Sequence, residues 1–297
     1  MNSIDISVVV AVKNEEIHVE SALRSILSQE DVNHEIIVID DGSTDKTYSI
    51  LIKLAENYPK LKVFNNKKIG KCSAFNFGVD KARGRFVCIF AGDDIMPEKS
   101  LSLRYSMVKD VPDDRPCVGL CKLTTMSAVK KLNGHLIPRA PNRGALSGVS
   151  PLMNKLAVGR IFPVPEILPN EDTWMELAIS YLPNLEVIHS NIIGCHWRLH
   201  SGNSINMLVN FSEYNKKITA RLNAYALFYE SHNFELNDIK RSELIGKINC
   251  ERARCSGSVM GVLRSNVKAI DKLRALSITN VFFYNLRRRF YGLFSGW

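Results

Sequence analysis

The chain has 297 residues, of which 45% are hydrophobic, 23% charged and 8% aromatic. This composition is typical of a folded globular protein and excludes an intrinsically disordered or fibrous chain. Lysine and arginine number 39 against 30 aspartate and glutamate residues, so the formal net charge is +9. The positive excess favours an anionic partner, and nucleic acid, an anionic membrane surface and phosphorylated small molecules all qualify.

Cysteine usage and the start of the chain indicate a compartment. The seven cysteines are odd in number and scattered, which is typical of reduced core residues. The segment from Met1 to Asp5 carries neither the basic region nor the apolar stretch of a secretory signal. No uninterrupted apolar run reaches the roughly 18 residues of a membrane-spanning helix. We therefore expect a cytoplasmic protein whose membrane contact is peripheral.

Short apolar runs alternate with helical patterns over the first ninety residues. Strands are predicted at 6–12, 35–39, 61–64 and 86–90, and helices at 15–29, 47–57 and 73–82. The first run is almost entirely β-branched, as expected of a strand buried on both faces. This order predicts an α/β fold with a Rossmann-like, mostly parallel sheet that has helices on both faces.

The pattern becomes less regular after Pro97. Prolines and glycines interrupt residues 138–169, which we interpret as loops that build a site. Helical patterns return at 172–181, 210–230 and 237–253, and the last segment, from Ser265, is helical, aromatic and basic. We therefore predict a first domain over residues 1–205 and a C-terminal helical region over residues 206–297.

Pairs of aspartates follow two of the predicted strands. Asp40 and Asp41 follow the second strand, and Asp93 and Asp94 follow the fourth. Ligands bind beyond the carboxyl ends of the strands in an open parallel sheet. Carboxylate pairs at that edge repel each other unless a cation or hydrogen-bond donors intervene, so a divalent metal is predicted. Turn and helix-cap roles for the same residues remain open alternatives.

Two common phosphate-binding motifs are absent from the sequence. The segment from Ala11 to Glu16, after the first strand, lacks the glycines that let a backbone approach a pyrophosphate, which argues against a nicotinamide-dependent enzyme. Gly70 and Lys71 are followed by Cys72 rather than Ser or Thr, which argues against a phosphate loop.

Several segments together closely resemble the family 2 glycosyltransferases of GT-A fold. They are Val8–Glu16, Ile39–Asp45, Gly70–Gly78, Ala82–Phe86 and Phe90–Pro97, with thinner similarity at 170–172 and 197–203. The resemblance is dense over about the first hundred residues. It implies a GT-A domain that binds a nucleotide sugar and is followed by a C-terminal helical extension.

The resemblance implies roles for residues at matching positions. Those that match nucleotide-sugar-binding positions are Ala11, Val12, Asn14, Glu15, Asp40, Asp41, Lys71 and Asp93. Asp93 and Asp94 match the acidic metal-binding motif of the family, with Asp94 the first choice for the ligand and His200 a third candidate. The sequence departs from the motif at its first acidic position, which is Ala91, a change that some members tolerate. The implied cofactor is Mn²⁺ or Mg²⁺.

The resemblance also implies a catalytic base. Asp172 matches it, and a carboxylate within hydrogen-bond reach can take the proton of an acceptor hydroxyl as the new bond forms. This chemistry predicts inversion at the anomeric carbon. The alternative is that Glu171 and Asp172 simply begin a helix, where acidic residues are favourable.

The last segment combines an apolar stripe with basic residues. The stripe comprises Ile278, Val281, Phe282, Leu286, Phe290, Leu293, Phe294 and Trp297, beside Arg287 to Arg289. This combination is typical of an interfacial helix on an anionic membrane surface. The alternative is a terminal helix that packs on the main domain.

These features predict an inverting, metal-dependent glycosyltransferase of the hexosyl or N-acetylhexosaminyl type. We expect it to move a sugar from a nucleotide donor, with a UDP-sugar favoured, to a lipid-linked glycan acceptor. By resemblance, the setting is bacterial surface polysaccharide biosynthesis at the cytosolic face of the inner membrane. One alternative is a nucleotide-sugar-binding protein without transferase activity. A nucleic-acid-binding protein is a weaker alternative, because acidic pairs at the predicted site oppose phosphate backbones.

Overall fold

The computed structural model describes residues 3–200 and 209–289. The chain divides into two compact units by its internal contacts. The first comprises residues 1–179 and 184–199, and the second comprises residues 180–183 and 200–297. The division into a nucleotide-sugar-binding domain over residues 1–205 and a C-terminal region over residues 206–297 remains a prediction.

The first unit is built on a mixed sheet, which has eight strands within the described residues. They are β1 (Ile6–Val12), β2 (His34–Asp40), β3 (Leu61–Asn65), β4 (Phe86–Ala91), β5 (Cys117–Met126), β6 (Leu136–Ile137), β7 (Pro151–Asn154) and β8 (Glu186–Arg198). The strand order is β3-β2-β1-β4-β7-β5-β6, and β8 pairs with β5. The first four strands are mutually parallel, whereas β7 is antiparallel to β4 and β5.

Helices flank this sheet, as predicted for the α/β fold. They are α1 (Val19–Leu27), α2 (Thr47–Asn57), α3 (Lys71–Lys81), α4 (Ser100–Val108), α5 (Lys155–Ile161) and α6 (Asp172–Tyr181). Every residue of β2 is buried, and so are six of the seven in β1. Burial on both faces explains why these strands read as continuous apolar runs rather than as alternating patterns.

The predicted start of the first helix is wrong by one turn. Helix α1 begins at Val19 rather than at residue 15. The backbone N–H groups of residues 14–16, which precede this helix, do not form helical hydrogen bonds. They donate instead to side chains between the end of β2 and the first residue of α2. These bonds join Asn14 to Ser43, Glu15 to Thr47 and Glu16 to Asp45. Long-range side-chain acceptors therefore replace the local helical pattern in this segment.

Residues 138–169 are not entirely loop, contrary to the prediction. They contain β7 and α5 in direct succession. Pro151 stands at the first position of β7, where a missing N–H group is tolerated. The Asn154 side chain then accepts from the backbone N–H of Ala157 and caps α5. The density of proline and glycine conceals these two short elements.

The second unit is helical over its described residues. Its helices are α7 (Phe211–His232), α8 (Asp238–Cys255), α9 (Val259–Arg264), α10 (Ala269–Leu276) and α11 (Val281–Arg289). Arg254 is buried and paired with Glu251 at 2.5 Å, and it also donates to the Thr219 hydroxyl at 3.1 Å. Among the described residues, no helix has both the length and the apolar character needed to span a membrane.

The terminal apolar stripe is only partly exposed. Ile278 lies between α10 and α11 and packs with Tyr214 and Tyr284 in a small core, so it does not belong to an exposed face. Val281 and Phe282 are exposed. The predicted stripe residues Phe290, Leu293, Phe294 and Trp297 lie outside the described residues.

A buried carboxylate joins the amino-terminal end of β2 to the start of β4. The Glu35 side chain is 4% exposed and pairs with Arg83 at 2.7 Å. Its other oxygen accepts from the Ser7 hydroxyl at 2.7 Å and from the Arg83 backbone N–H at 2.8 Å. Burial alone would raise the pKa of Glu35, but the bonds from Arg83 and Ser7 lower it.

We expect Glu35→Gln to lower the free energy of unfolding by about 2 kcal/mol at neutral pH, because a charged, fully bonded acceptor is replaced by an amide. The folded-state pKa is below the ordinary value of 4.5. The difference from wild type should therefore be present above that value and be lost as the pH falls through the folded-state pKa. Urea unfolding at several pH values measures it. Glu20→Gln, in an exposed pair, is the control, and equal effects of both variants would contradict the assignment.

Candidate functional site

The strand register brings three loops to one edge of the sheet. Val12 of β1 is aligned with Asp40 of β2, and Ala11 is aligned with Ala91 of β4. Because these strands are parallel, the loops that follow them all leave from their carboxyl ends. The Asp41 N–H donates to the Val12 carbonyl at 2.8 Å, which extends the pairing beyond the strands.

The loop after β1 contacts both neighbouring loops. Asn14 has a left-handed backbone with φ 55, and its side-chain oxygen accepts from the Thr44 N–H at 2.8 Å. On the other side, a Cβ atom at Gly92 would lie 2.5 Å from Val12 Cγ1 and 3.7 Å from Glu15 Cγ. Only glycine permits this approach. The predicted nucleotide-sugar-binding residues between Ala11 and Glu15 are therefore adjacent to the loop that carries Asp93.

The two aspartates after β2 have different environments. Asp41 Oδ1 accepts from Asn66 Nδ2 at 2.6 Å and from the Gly70 N–H at 2.8 Å. Asp40 Oδ2 accepts from the Ser43 N–H at 3.1 Å, as a turn residue does. The other oxygen of Asp40 is buried without a hydrogen-bond partner among the described residues. Asp41 thus connects this loop to the start of α3, and Asp40 keeps unused acceptor capacity.

An ion pair joins the start of α3 to the residue that precedes α6. Lys71 Nζ, from the first residue of α3, lies 3.1 Å from Glu171 Oε1. Glu171 is 2% exposed, and its second oxygen has no partner among the described residues. Burial raises the pKa of Glu171, and the Lys71 charge opposes that shift. Lys71 is therefore linked to the residue that precedes the predicted base.

Asp172 is the first residue of α6 and is held by two donors. Its Oδ1 accepts from the Gly148 N–H at 2.8 Å, and its Oδ2 accepts from Asn170 Nδ2 at 2.8 Å. A Cβ atom at Gly148 would lie 2.7 Å from Asp172 Oδ1 and 3.3 Å from Ile89 Cδ1. Asp172 consequently lies beside β4, although it is far from this strand in sequence.

Asp94 faces inward, toward the end of β8. It is 2% exposed, and its Oδ1 accepts from the Arg198 N–H at 2.8 Å. The Cys195 thiol lies 3.4 Å from the other oxygen. Burial, followed by the charge of Asp93, raises the pKa of Asp94 to about 7. Arg198 Nε also donates to the Asp93 carbonyl at 2.7 Å, so β8 fixes both residues of the pair.

This pair would hold a metal ion together with ligands from a bound substrate. In the part of the chain that the structure describes, no three His, Cys, Asp or Glu side chains are grouped to hold a metal. Magnesium is commonly held by one or two carboxylates together with substrate phosphates, and two adjacent carboxylates fit that arrangement. Asp93 is half-buried and is therefore better placed than Asp94 to meet a ligand. His200 follows β8, is counted in the second unit, and remains a predicted ligand.

Contacts connect most of the predicted residues. One path runs from the Val12 loop through Gly92 to Asp93, and another runs from Asp41 through Gly70 and Lys71 to Glu171 and Asp172. Sequence reasoning assigned no site role to several residues in or beside this region: Asn66, Ser147, Gly148, Asn170, Cys195 and Arg198. A glycine within an irregular segment and an Asn-Glu-Asp run were the visible signals. Neither signal indicates which distant groups it meets.

Comparison with known proteins gives a consistent result. Residues 7–120 match the sequence profile described as "Glycosyl transferase family 2". The chain is 30% identical over 112 residues to the cholesterol galactosyltransferase of Borreliella burgdorferi, which is 38% of this chain and 31% of that protein. It is 33% identical over 109 residues to an uncharacterized glycosyltransferase of Haemophilus influenzae, 36% of this chain and 44% of that protein. These alignments span less than half of each relative.

Solved structures share the fold over most of the chain. The Staphylococcus aureus protein TarS, residues 1–349 in complex with UDP-GlcNAc, has a TM-score of 0.62 at 19% identity, over 93% of this chain and 80% of that one. The mannosyltransferase PcManGT from Pyrobaculum calidifontis, in complex with GDP-Man and Mn²⁺, has a TM-score of 0.60 at 15% identity. That alignment covers 99% of this chain and 81% of the other. At these identities the likeness demonstrates the GT-A fold.

We expect Asp41→Ala to lower the free energy of unfolding by about 1–3 kcal/mol, because Asn66 and the Gly70 N–H would lose their acceptor. Amide exchange at Gly70 should become faster, while exchange in the centre of β1 should change only with global stability. Hydrogen exchange with mass spectrometry measures both effects. Asp110→Ala, at an exposed position, is the matched control. Unchanged protection at Gly70 would contradict the role of Asp41.

Proposed function

We propose, from the match of residues 7–120 to the profile of glycosyl transferase family 2, that this chain is an inverting glycosyltransferase. In this proposal it moves a sugar from a nucleotide donor to a glycan acceptor. The observation that carries the proposal is the placement of the Asp172 carboxylate beside β4, the strand whose end bears the acidic pair. This geometry brings a candidate base close to the strand that ends in the acidic pair.

Asp172 is proposed as the general base. A hydroxyl is a poor nucleophile until its proton is taken, and a positioned carboxylate contributes typically 10² to 10⁴ in rate. The Gly148 N–H and the Asn170 amide hold the two oxygens of Asp172, so the carboxylate is oriented before any substrate arrives. Attack from the side of this base, opposite the leaving nucleotide, inverts the anomeric carbon.

A UDP-sugar is the proposed donor, carrying a hexose or an N-acetylhexosamine. Support comes from TarS, whose structure contains UDP-GlcNAc, and the structure of PcManGT with GDP-Man keeps GDP-sugars in the test panel. The loops after β1 and β2 would hold the nucleotide. Asp40 retains a buried, unpartnered oxygen there that would accept a hydrogen bond from a ribose or base.

Mn²⁺ or Mg²⁺ is the proposed cofactor. Asp93, with the more buried Asp94 next to it, would hold the ion together with the donor diphosphate. The structure of PcManGT, which contains Mn²⁺, supports this proposal. The ion supplies neutralisation of the charge that develops on the leaving nucleoside diphosphate. The greater exposure of Asp93 favours it as the first ligand over Asp94, the reverse of the ranking from sequence.

A lipid-linked glycan is the proposed acceptor, at the cytosolic face of the inner membrane, in surface polysaccharide biosynthesis. Exposed apolar side chains on α9, α10 and α11 support a membrane contact: Met260, Leu263, Ile270, Leu273, Val281, Phe282 and Leu286. Exposed Arg264, Lys268, Arg274, Arg288 and Arg289 lie on or next to the same helices. Apolar and basic groups together suit anionic lipid headgroups. Nucleic acid is not proposed as a partner, because the candidate site is acidic.

A second candidate function is nucleotide-sugar binding without transfer. Ala91 favours it, because an acidic position of the family motif is missing. Donor binding without release of free nucleotide, over a panel of acceptors, would establish this alternative.

We expect Asp172→Asn to lower donor turnover at least about 100-fold, because an amide cannot take the acceptor proton. Nucleotide release from UDP- and GDP-sugars, with and without Mn²⁺, measures turnover, and chelation by EDTA should abolish it. Asp80→Asn, at an exposed position of α3, is the matched control. Circular dichroism verifies that both variants fold. Full turnover in Asp172→Asn would refute the base, and full turnover in EDTA would refute the metal.

We expect the full chain to bind vesicles of phosphatidylcholine and phosphatidylglycerol more tightly than vesicles of phosphatidylcholine alone. Leu273→Glu and Phe282→Glu should each weaken binding by about tenfold, because an inserted apolar side chain becomes a charge. Leu103→Glu, at an exposed apolar position of α4, is the control. Cosedimentation measures binding. Equal binding to both vesicle types, or equal loss in all three variants, would contradict the membrane surface.

A further inference from the structure

Unpartnered polar atoms concentrate around the junction of the Gly148 loop and α6. Seven buried side-chain nitrogen and oxygen atoms in residues 3–200 and 209–289 have no hydrogen-bond partner. Three of the seven are Ser147 Oγ, Asn170 Oδ1 and Glu171 Oε2. Asn170 is 5% exposed and Glu171 is 2% exposed. Asn170 donates to Asp172 directly, and Glu171 precedes Asp172 in the chain. Ser147 precedes Gly148, whose N–H donates to Asp172.

Such a concentration is unfavourable in a folded protein unless another molecule completes it. Buried polar groups are almost always hydrogen-bonded, and each exception costs free energy. The Asn170 amide donates to Asp172, so its oxygen is directed away from that bond. Lys71 occupies one oxygen of Glu171 and leaves the other. The local fold therefore maintains unused acceptors beside the proposed base.

The chemistry of these atoms selects a ligand class. Two of them, an amide oxygen and a carboxylate oxygen, are acceptors, and the serine hydroxyl can donate or accept. Their complement is a group rich in O–H or N–H donors, such as the hydroxyl groups of a sugar. A carboxylate would instead meet Glu171 and Asp172, opposed by the single positive charge of Lys71 in contact with Glu171.

We propose that Ser147, Asn170 and Glu171 form a subsite for the transferred sugar that selects a neutral sugar and rejects an acidic one. The inference rests on the proposed function, which places the donor diphosphate at Asp93 and the base at Asp172. Ile89 of β4 lies against Gly148, so the subsite adjoins the strand that leads to Asp93. In this proposal the sugar attached to the diphosphate is the group that meets these acceptors. Glu171 supplies most of the discrimination, because it repels a sugar carboxylate.

Titration calorimetry of the full chain with Mn²⁺ tests this inference. The probes are UDP, which lacks a sugar, and two matched pairs, UDP-glucose with UDP-glucuronate and UDP-galactose with UDP-galacturonate. GDP-mannose and GDP-mannuronate replace them if GDP binds and UDP does not. We expect the better neutral sugar to bind about tenfold more tightly than its acidic partner. Equal affinities within a pair would overturn the proposal.

Glu171→Gln isolates the charge. It should reduce the preference for the neutral sugar, measured as the ratio of the two affinities, from about tenfold to below about threefold. Glu166→Gln is the matched control, because Glu166 pairs with Lys68 at 2.6 Å and lies outside the cluster. An unchanged preference in Glu171→Gln would overturn the proposal. If this variant does not fold, Ser147→Ala should weaken binding of the neutral sugar but not of UDP, and unchanged sugar binding would overturn it equally.

The two proposals fail in different ways. If neither UDP nor GDP binds, the proposed function fails before sugar selection arises. If nucleotide binds and Asp172→Asn abolishes turnover, but neutral and acidic sugars bind alike, only the subsite fails.

Discussion

Parallel pairing of β1 with β2 on one side and β4 on the other is the constraint on which the candidate site depends. It aligns Val12 with Asp40, 28 residues away, and Ala11 with Ala91, 80 residues away, so distant segments of the chain end at one edge of the sheet. Buried β-branched residues make a shift of register costly, since a one-residue slip would turn every side chain to the opposite face. The acidic residues therefore lie at the same edge because the apolar strands that precede them pair in this register.

Loop contacts then convert this alignment into a fixed arrangement. Residues 15–18 are not part of α1, because the N–H groups of the loop after β1 donate to side chains that follow β2. Asp41 performs the same function between β2 and α3 by accepting from Asn66 and Gly70. Glycines at 92 and 148 allow backbones to approach where a Cβ atom would collide. A site of this kind is organised before ligand binding, which limits the reorganisation that binding requires.

Carboxylates in this region have strongly different surroundings. Asp94 is enclosed by β8, and burial raises its pKa to about 7. Glu171 is equally buried but has Lys71 as a partner. Asp172, one residue further on, receives two neutral donors. Groups with the same chemistry therefore differ in their electrostatic environment, and the roles proposed for Glu171 and Asp172 rest on this difference.

Apolar periodicity in the sequence determined the strands and helices of the first ninety residues, the parallel sheet, and the acidic strand ends, because burial on both faces imposes a recognisable residue pattern. Long-range hydrogen bonding decided the start of α1, and pairing with both β4 and β5 decided β7; local sequence encodes neither. Tertiary structure alone decided that Glu171 pairs with Lys71, that Asp172 lies beside β4 and that Asp94 faces Arg198. Each of these contacts joins residues that lie far apart in the chain, 104 positions in the case of Asp94 and Arg198. Only the packing of the whole sheet brings such residues together.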